Sequence, residues 1–180
     1  AGNFTRVSGP LAPDALAPPP AQREALAYLH DLSTAPLSDA RIPDPEALES
    51  HLNALRERPY TAELLRTLML ATQRLVEASA LIRHALERHD ACRTPALSAE
   101  LEGPGERPAA DWLAALEQAA DAWLGDLTPL FSLLDSPPEA VANYHDRWLS
   151  EAHPEAPLPA FRSALAEHQA LRKAHAERCR

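Results

Sequence analysis

Residues 61–90 lie within the longest stretch of this chain that contains neither proline nor glycine. Apolar and small residues recur here at alternating spacings of three and four, which places them on one face of an α-helix. At about 1.5 Å per residue, the predicted helix is roughly 45 Å long. Thr61 is its predicted N-cap, because a threonine hydroxyl can accept a hydrogen bond from the first turn. The apolar seam consists of Leu65, Leu68, Thr72, Leu75, Ser79, Ile82, Leu86 and His89.

Apolar spacing and proline positions predict further helices on both sides of this stretch. Asp44 followed by Pro45 is typical of a helix start. Gly125 and Pro129 predict a kink or short break near Thr128. No segment alternates apolar and polar residues for long enough to indicate a strand. The sequence therefore predicts an all-α fold, a helical bundle of about six helices, of which three are long and three are short. The others cover approximately residues 21–33, 44–58, 109–134, 137–149 and 159–180.

Residues 1–20 contain a cluster of prolines that separates them from the rest of the chain. Because proline fixes φ and removes a backbone donor, these residues predict an extended Pro-rich arm. Residues 21–180 are long enough to bury a core and are predicted to form a single helical-bundle domain. The prolines of the arm are Pro10, Pro13, Pro18, Pro19 and Pro20.

Composition argues against nucleic-acid partners and transmembrane helices, and it indicates the kind of genome that encodes the chain. The formal net charge of −9 argues against nucleic-acid binding, since the surface would repel phosphates. No apolar run reaches the about 18 residues that a transmembrane helix needs. Arginine dominates the cations, with Lys173 as the only lysine, which indicates a GC-rich and hence bacterial genome. The chain begins at Ala1, which indicates either removal of a signal peptide or excision from a longer chain.

Cys92 and Cys179 follow the ends of the third and sixth predicted helices. If the fifth helix is a crossover, the third and sixth helices run parallel and their C-termini meet. A disulfide then becomes feasible, provided that the two Cα atoms lie within about 7 Å. It would require an oxidising compartment, whereas two unrelated free thiols would not.

A second hypothesis for the cysteines is a tetrahedral zinc site built from His89, Cys92, His175 and Cys179. The members of each His–Cys pair are three or four residues apart, so they share a helix face. The simpler interpretation is that these histidines lie near helix C-termini, where the macrodipole favours their charge. His168 and His175, seven residues apart, either line a ligand groove or are buried and hydrogen-bonded.

Trp112 is the predicted interaction residue. It lies at a helix start beside a Gly- and Pro-rich loop, which favours partial exposure. Exposed tryptophan is common among the residues that contribute most to interfaces. The alternative is that Trp112 only fastens the start of its helix.

These observations favour a non-enzymatic function. The chain lacks a Gly-rich phosphate loop and the motifs GxSxG, HExxH and CxxC, so we expect no catalytic residues and no cofactor apart from the possible zinc. The leading hypothesis is a helical module that binds another protein, either periplasmic or secreted, or the soluble domain of a membrane-associated protein. A cytoplasmic location is the alternative. The alternative function is a helical sensor that binds a metal or small molecule between the third and sixth helices.

Overall fold

The computed structural model of the protein describes residues 10–35, 44–88, 92 and 106–179. Regular secondary structure in these residues is entirely helical, which confirms the predicted all-α bundle. None of the described helices has the length and apolarity that crossing a lipid bilayer requires. A 3-10 turn precedes the first helix, and a π-helical turn, His145–Leu149, continues the fifth. The helices are α1 (Pro20–Thr34), α2 (Pro45–Glu57), α3 (Tyr60–Glu87), α4 (Glu106–Ser132), α5 (Glu139–Tyr144) and α6 (Pro157–Arg178).

Helix α3 is the central helix, and its predicted seam faces the core. Leu68 is fully buried and Ile82 is 1% exposed. The prediction that Thr61 caps α3 is wrong, because the helix begins one residue earlier and no side chain caps it. The hydroxyl of Thr61 instead accepts a hydrogen bond from Nε1 of Trp123 on α4, at 2.9 Å. Thr61 therefore joins two helices.

Helix α6 packs against α3, and the two helices run in the same direction. Met69 of α3 lines the same groove as Pro157 at the start of α6, whereas Leu86 near the end of α3 contacts Arg178 at the end of α6, so the C-terminal ends of the two helices lie side by side. The arrangement agrees with the parallel packing expected from a crossover. At this end, the guanidinium of Arg178 on α6 donates to carbonyl oxygens that have no partner within α3. The contacts are Ser79 with His168, Arg83 with Glu167, and Arg178 with the carbonyl oxygens of Leu86 and Arg88.

The described part of the predicted arm, residues 10–19, lies against the bundle as a strap. Leu11 and Leu16 are buried in the same core as α3 and α4. The backbone N–H of Leu11 donates to Oγ1 of Thr67 on α3 at 3.1 Å. Its carbonyl oxygen accepts a hydrogen bond from Nε1 of Trp112 on α4 at 3.0 Å. Side chains of the bundle thus form hydrogen bonds with both backbone groups of Leu11. These bonds fix the position of the strap relative to α3 and α4.

Replacing Tyr60 with phenylalanine is expected to lower the free energy of unfolding by about 1 kcal/mol. The Tyr60 hydroxyl is buried and donates to the carbonyl oxygen of Leu16 at 2.5 Å, so its removal leaves a buried acceptor unpaired. Burial raises the pKa of Tyr60 to about 12. The unfolded chain releases this proton near pH 10, so wild-type stability should fall between about pH 10 and 12. Urea titrations across this window should show a shallower decline for Tyr60→Phe, and an equally steep decline would contradict the assignment.

Arg162 connects α6 to α4 and to the segment before α6. Its guanidinium donates to Glu117 at 2.9 Å, to Glu151 at 3.0 Å and to Asp121. The hydrogen bond to Glu117 is the largest of the effects that raise the pKa of Arg162 further above its ordinary value. One cation thus forms ion pairs with three carboxylates where α4 and α6 approach each other.

The short break predicted near Thr128 is wrong, whereas the alternative of a kink there stays a prediction. No break near Thr128 interrupts α4, which continues to Ser132 with Pro129 inside it. The sequence Ser136-Pro137-Pro138-Glu139 has the pattern of a capping box, but α5 begins at Glu139 without a side-chain cap, so this box does not form. The apolar pattern of this helix predicts a buried edge formed by Val141, Tyr144, Trp148 and Leu149, but Tyr144 is 43% exposed. Its exposure follows from the short length of α5, which gives way to the π turn at once.

Candidate functional site

A groove of about 880 Å³ lies between the N-terminal half of α3, the π turn after α5 and the start of α6. Its volume is within the range of ligand and peptide sites, about 300–1,000 Å³. Helix α3 contributes Met69 and Gln73, the π turn contributes Arg147 and Trp148, and α6 contributes Pro157. The groove is therefore built from α3 and from one later stretch of the chain, residues 143–160, that is distant from α3 in sequence.

The π turn determines which side chains reach the groove. Ser150 N–H donates to the carbonyl oxygen of His145 at 2.9 Å, which closes the wider turn. Leu149 at its end is 5% exposed and belongs to the core, whereas the adjacent Trp148 is half-buried and lines the groove. Single π-helical turns are uncommon and occur frequently at functional sites.

The groove wall combines apolar surface with exposed charge. Met69 is 49% exposed. The guanidinium carbon of Arg147 lies 5.8 Å from the centre of the Trp148 ring, within range of a cation–π interaction. Asp146 and Glu155 add two carboxylates to the lining. This combination suits recognition of an amphipathic surface, because Trp and Arg are enriched among interface hot spots and Met adapts its shape.

Trp112, the residue singled out from the sequence, does not line this groove. It is half-buried, packs against the core and holds Leu11 of the strap through its indole N–H. Trp148 was expected only to contribute to the buried edge of its helix. The sequence signal that could have identified it is the adjacent Arg147, since Trp and Arg are both enriched among interface hot spots.

The C-terminal ends of α3 and α6 hold the cysteines. Cys92 and Cys179 form a disulfide with a Cα–Cα distance of 5.3 Å. His175 is 5% exposed, and its Nε2 lies 3.8 Å from Sγ of Cys179. His89, the fourth member of the predicted zinc site, lies outside the described residues. With the sulfurs bonded to each other, the described ranges contain no group of three or more His, Cys, Asp or Glu side chains placed to hold a metal ion.

His168 faces α3, where its Nδ1 lies 3.2 Å from Oγ of the buried Ser79. The arrangement supports the interpretation of a partly buried, hydrogen-bonded histidine. Burial, and then the charge of Arg172, lower the pKa of His168.

Acidification is expected to destabilise the protein through His168. The folded state holds this imidazole neutral at a pH where the unfolded chain has begun to protonate it, near pH 6.5. The free energy of unfolding should therefore fall as the pH drops below about 6.5. Urea titrations of the wild type and of His168→Gln between about pH 7.5 and 5 should differ in slope, since glutamine does not titrate. An NMR titration that gives His168 a pKa at or above its ordinary value would contradict this expectation.

Comparisons with known proteins add no relative to this picture. No family model, curated protein or solved structure matches the chain. The functions of the groove and of the disulfide end must therefore be inferred from their own geometry.

Proposed function

We propose that this chain is a non-enzymatic module that binds another protein, and that the partner docks in the groove between α3, the π turn and α6. The observation that carries the proposal is the exposure of Met69 beside the Arg147–Trp148 pair. These residues are placed by two helical elements, α3 and the π turn, and do not need to be ordered on binding. A preorganised apolar surface of this kind lowers the entropic cost of association.

The charges favour a basic, amphipathic segment as the occupant. Its apolar side chains would contact Met69 and Trp148, and its basic side chains would approach Asp146 and Glu155. The net charge of −9 favours the same choice, because opposite charges accelerate the encounter of two proteins.

The disulfide supports an extracytoplasmic location for this activity, either periplasmic or secreted. Disulfides persist in oxidising compartments and are rare in the cytosol of most organisms. A soluble domain of a membrane-associated protein, exposed to such a compartment, fits the proposal equally.

Photo-crosslinking in the cells that produce the protein tests the proposal. A photoreactive phenylalanine at Met69 should give a defined adduct with one protein. The same residue at Leu81, which is on α3, 68% exposed and outside the groove, should not. Equal adducts at both positions, or none at position 69, would contradict the groove as the docking site.

The identified partner then allows a quantitative comparison of variants. Met69→Glu and Asp146→Arg should each weaken binding by about tenfold or more, while the control Leu81→Glu should bind as the wild type does. The effect of Asp146→Arg should lie mainly in the association rate and should shrink at high salt. Binding that is insensitive to Asp146→Arg would exclude a basic partner segment.

A further inference from the structure

We propose that reduction of the Cys92–Cys179 disulfide turns the junction of the C-terminal ends of α3 and α6 into a zinc site, with Cys92, Cys179 and His175 as protein ligands. The site is separate from the groove at the other end of these helices and does not depend on what binds there. The oxidised form is the disulfide that the structure shows.

The environment of His175 suits a metal ligand. Its side chain is 5% exposed, and its Nε2 points at Sγ of Cys179. Among the described residues, this is the one polar contact of the imidazole ring. A disulfide sulfur is a weak acceptor, whereas buried polar groups in proteins almost always have a proper hydrogen-bond partner. A metal ion held by the sulfur would give this nitrogen a strong partner.

The spacing of the donor atoms on α6 matches that of a tetrahedral zinc site. In a tetrahedral site with Zn–S of about 2.3 Å and Zn–N of about 2.05 Å, sulfur and nitrogen are about 3.6 Å apart. The observed separation of His175 Nε2 and Cys179 Sγ is 3.8 Å. The two residues are four apart on one face of α6, so the helix itself sets this distance. Once reduced, the two sulfurs need only move apart to about 3.8 Å.

Cys92 lies close enough to Cys179 to share a metal ion with it. Its Cα is 5.3 Å from that of Cys179, although 87 residues separate them in sequence. The contacts of Arg178 with the end of α3 hold α6 beside α3 without involving either sulfur. Packing of the two helices, and not the S–S bond alone, therefore brings the three donors together.

Conversion of the disulfide into the zinc site takes two steps, reduction and metal binding. A dithiol, such as a reductase of the thioredoxin type, gives two electrons and two protons to the disulfide and becomes a disulfide itself. Zn²⁺ then displaces a proton from each of the two thiols and forms two Zn–S bonds. His175 donates the lone pair of Nε2 and keeps its proton on Nδ1, and water takes the fourth position. A mixture of thiolates and imidazole favours zinc over magnesium or calcium.

Cobalt and zinc titrations of the full chain test the inference. The protein is reduced with a phosphine, exchanged into oxygen-free buffer and titrated with Co²⁺ and then Zn²⁺. Reduced wild type should bind one equivalent of Co²⁺ with thiolate charge-transfer absorption and tetrahedral d–d bands, and Zn²⁺ should displace it. The oxidised chain should show neither signal.

Substitutions on α6 identify the histidine ligand. His175→Ala should weaken zinc binding by more than the about 10–100-fold that loss of an outer-shell group costs. His168→Ala is the matched control, because it removes a histidine from the same helix that contacts Ser79 and not the sulfurs. His175→Cys should restore tight binding with a three-thiolate spectrum, which also addresses the case in which His175→Ala fails to fold.

Three results would overturn the inference. The first is that the reduced wild type binds no stoichiometric Co²⁺ or Zn²⁺. The second is that the wild type and a folded His175→Ala bind zinc with equal affinity. The third is that the oxidised chain binds metal as well as the reduced chain does. Met69→Glu should leave zinc binding unchanged, so that failure at this site and failure of the groove proposal are read out separately.

Discussion

Replacing both Cys92 and Cys179 with serine is expected to lower the free energy of unfolding by about 3–4 kcal/mol. The bond joins residues 87 apart, and a cross-link across a loop of this length strongly restricts the unfolded chain. Native contacts should largely persist, because Arg178 and the Ser79–His168 pair still hold the ends of α3 and α6 together. Urea unfolding of the double variant and the oxidised wild type provides the measurement.

Urea unfolding also separates the effect of losing the cross-link from the effect of replacing cysteine by serine. Wild type reduced in a metal-free, chelated buffer should unfold at the same urea concentration as the double serine variant. Hydrogen exchange should show that the additional opening is concentrated in the last turns of α6, where the apolar contacts are few. A loss below about 1 kcal/mol would mean that the unfolded chain already keeps these two positions close.

Replacing Trp123 with alanine is expected to cost about 3–5 kcal/mol. Trp123 is 2% exposed, and its ring meets that of Tyr60 edge to face with centroids 5.0 Å apart. Its indole N–H also donates to Oγ1 of Thr61 at 2.9 Å. The substitution therefore removes a large buried side chain, an aromatic pair and a hydrogen bond between α3 and α4.

Trp123→Phe divides this loss into its parts. Phenylalanine keeps an aromatic ring near Tyr60 but cannot donate to Thr61, so we expect a loss of about 1–2 kcal/mol. Replacing Thr61 with valine in the Trp123→Phe background should then cost little, because the hydroxyl has already lost its donor. Calorimetric or urea unfolding of the three variants tests the set. Equal losses for Trp123→Ala and Trp123→Phe would show that packing at this position contributes little.

The helical frame could be predicted because it depends on local periodicity. The spacing of Leu65, Leu68, Leu75 and Ile82 sets one apolar face, and that face is the one buried. The start of α2 was equally local, since the side chain of Asp44 does accept a hydrogen bond from the backbone N–H of Glu46. The disulfide required one further step, the assumption of a crossover that makes α3 and α6 parallel.

Buried polar side chains with distant partners could not be predicted from periodicity. Gln22 is 3% exposed, and its Nε2 donates to the carbonyl oxygens of Ala54 and Arg58 at the end of α2. Thr67 is similarly buried and receives the N–H of Leu11. In the sequence, both residues look like ordinary solvent-facing positions.

The groove escaped sequence analysis for a related reason. Its wall joins Met69, Arg147 and Pro157, which are brought together only by the relative placement of α3, the π turn and α6. The π turn itself has no distinctive residue pattern, so nothing local indicated which face Trp148 would present. The histidines and cysteines that the sequence predicted as metal ligands lie at the opposite end of the α3–α6 pair.

The parallel pairing of α3 and α6 also has a consequence for biosynthesis. Ser79 and His168, which meet in the folded protein, are 89 residues apart, and Arg83 and Glu167 are 84 apart. A ribosome adds about 5–20 residues per second, so this part of the α3 seam emerges several seconds before the helix that covers it. Folding of α3 into its final surroundings must therefore await the synthesis of α6, and in the interval its apolar face is a natural target for a chaperone.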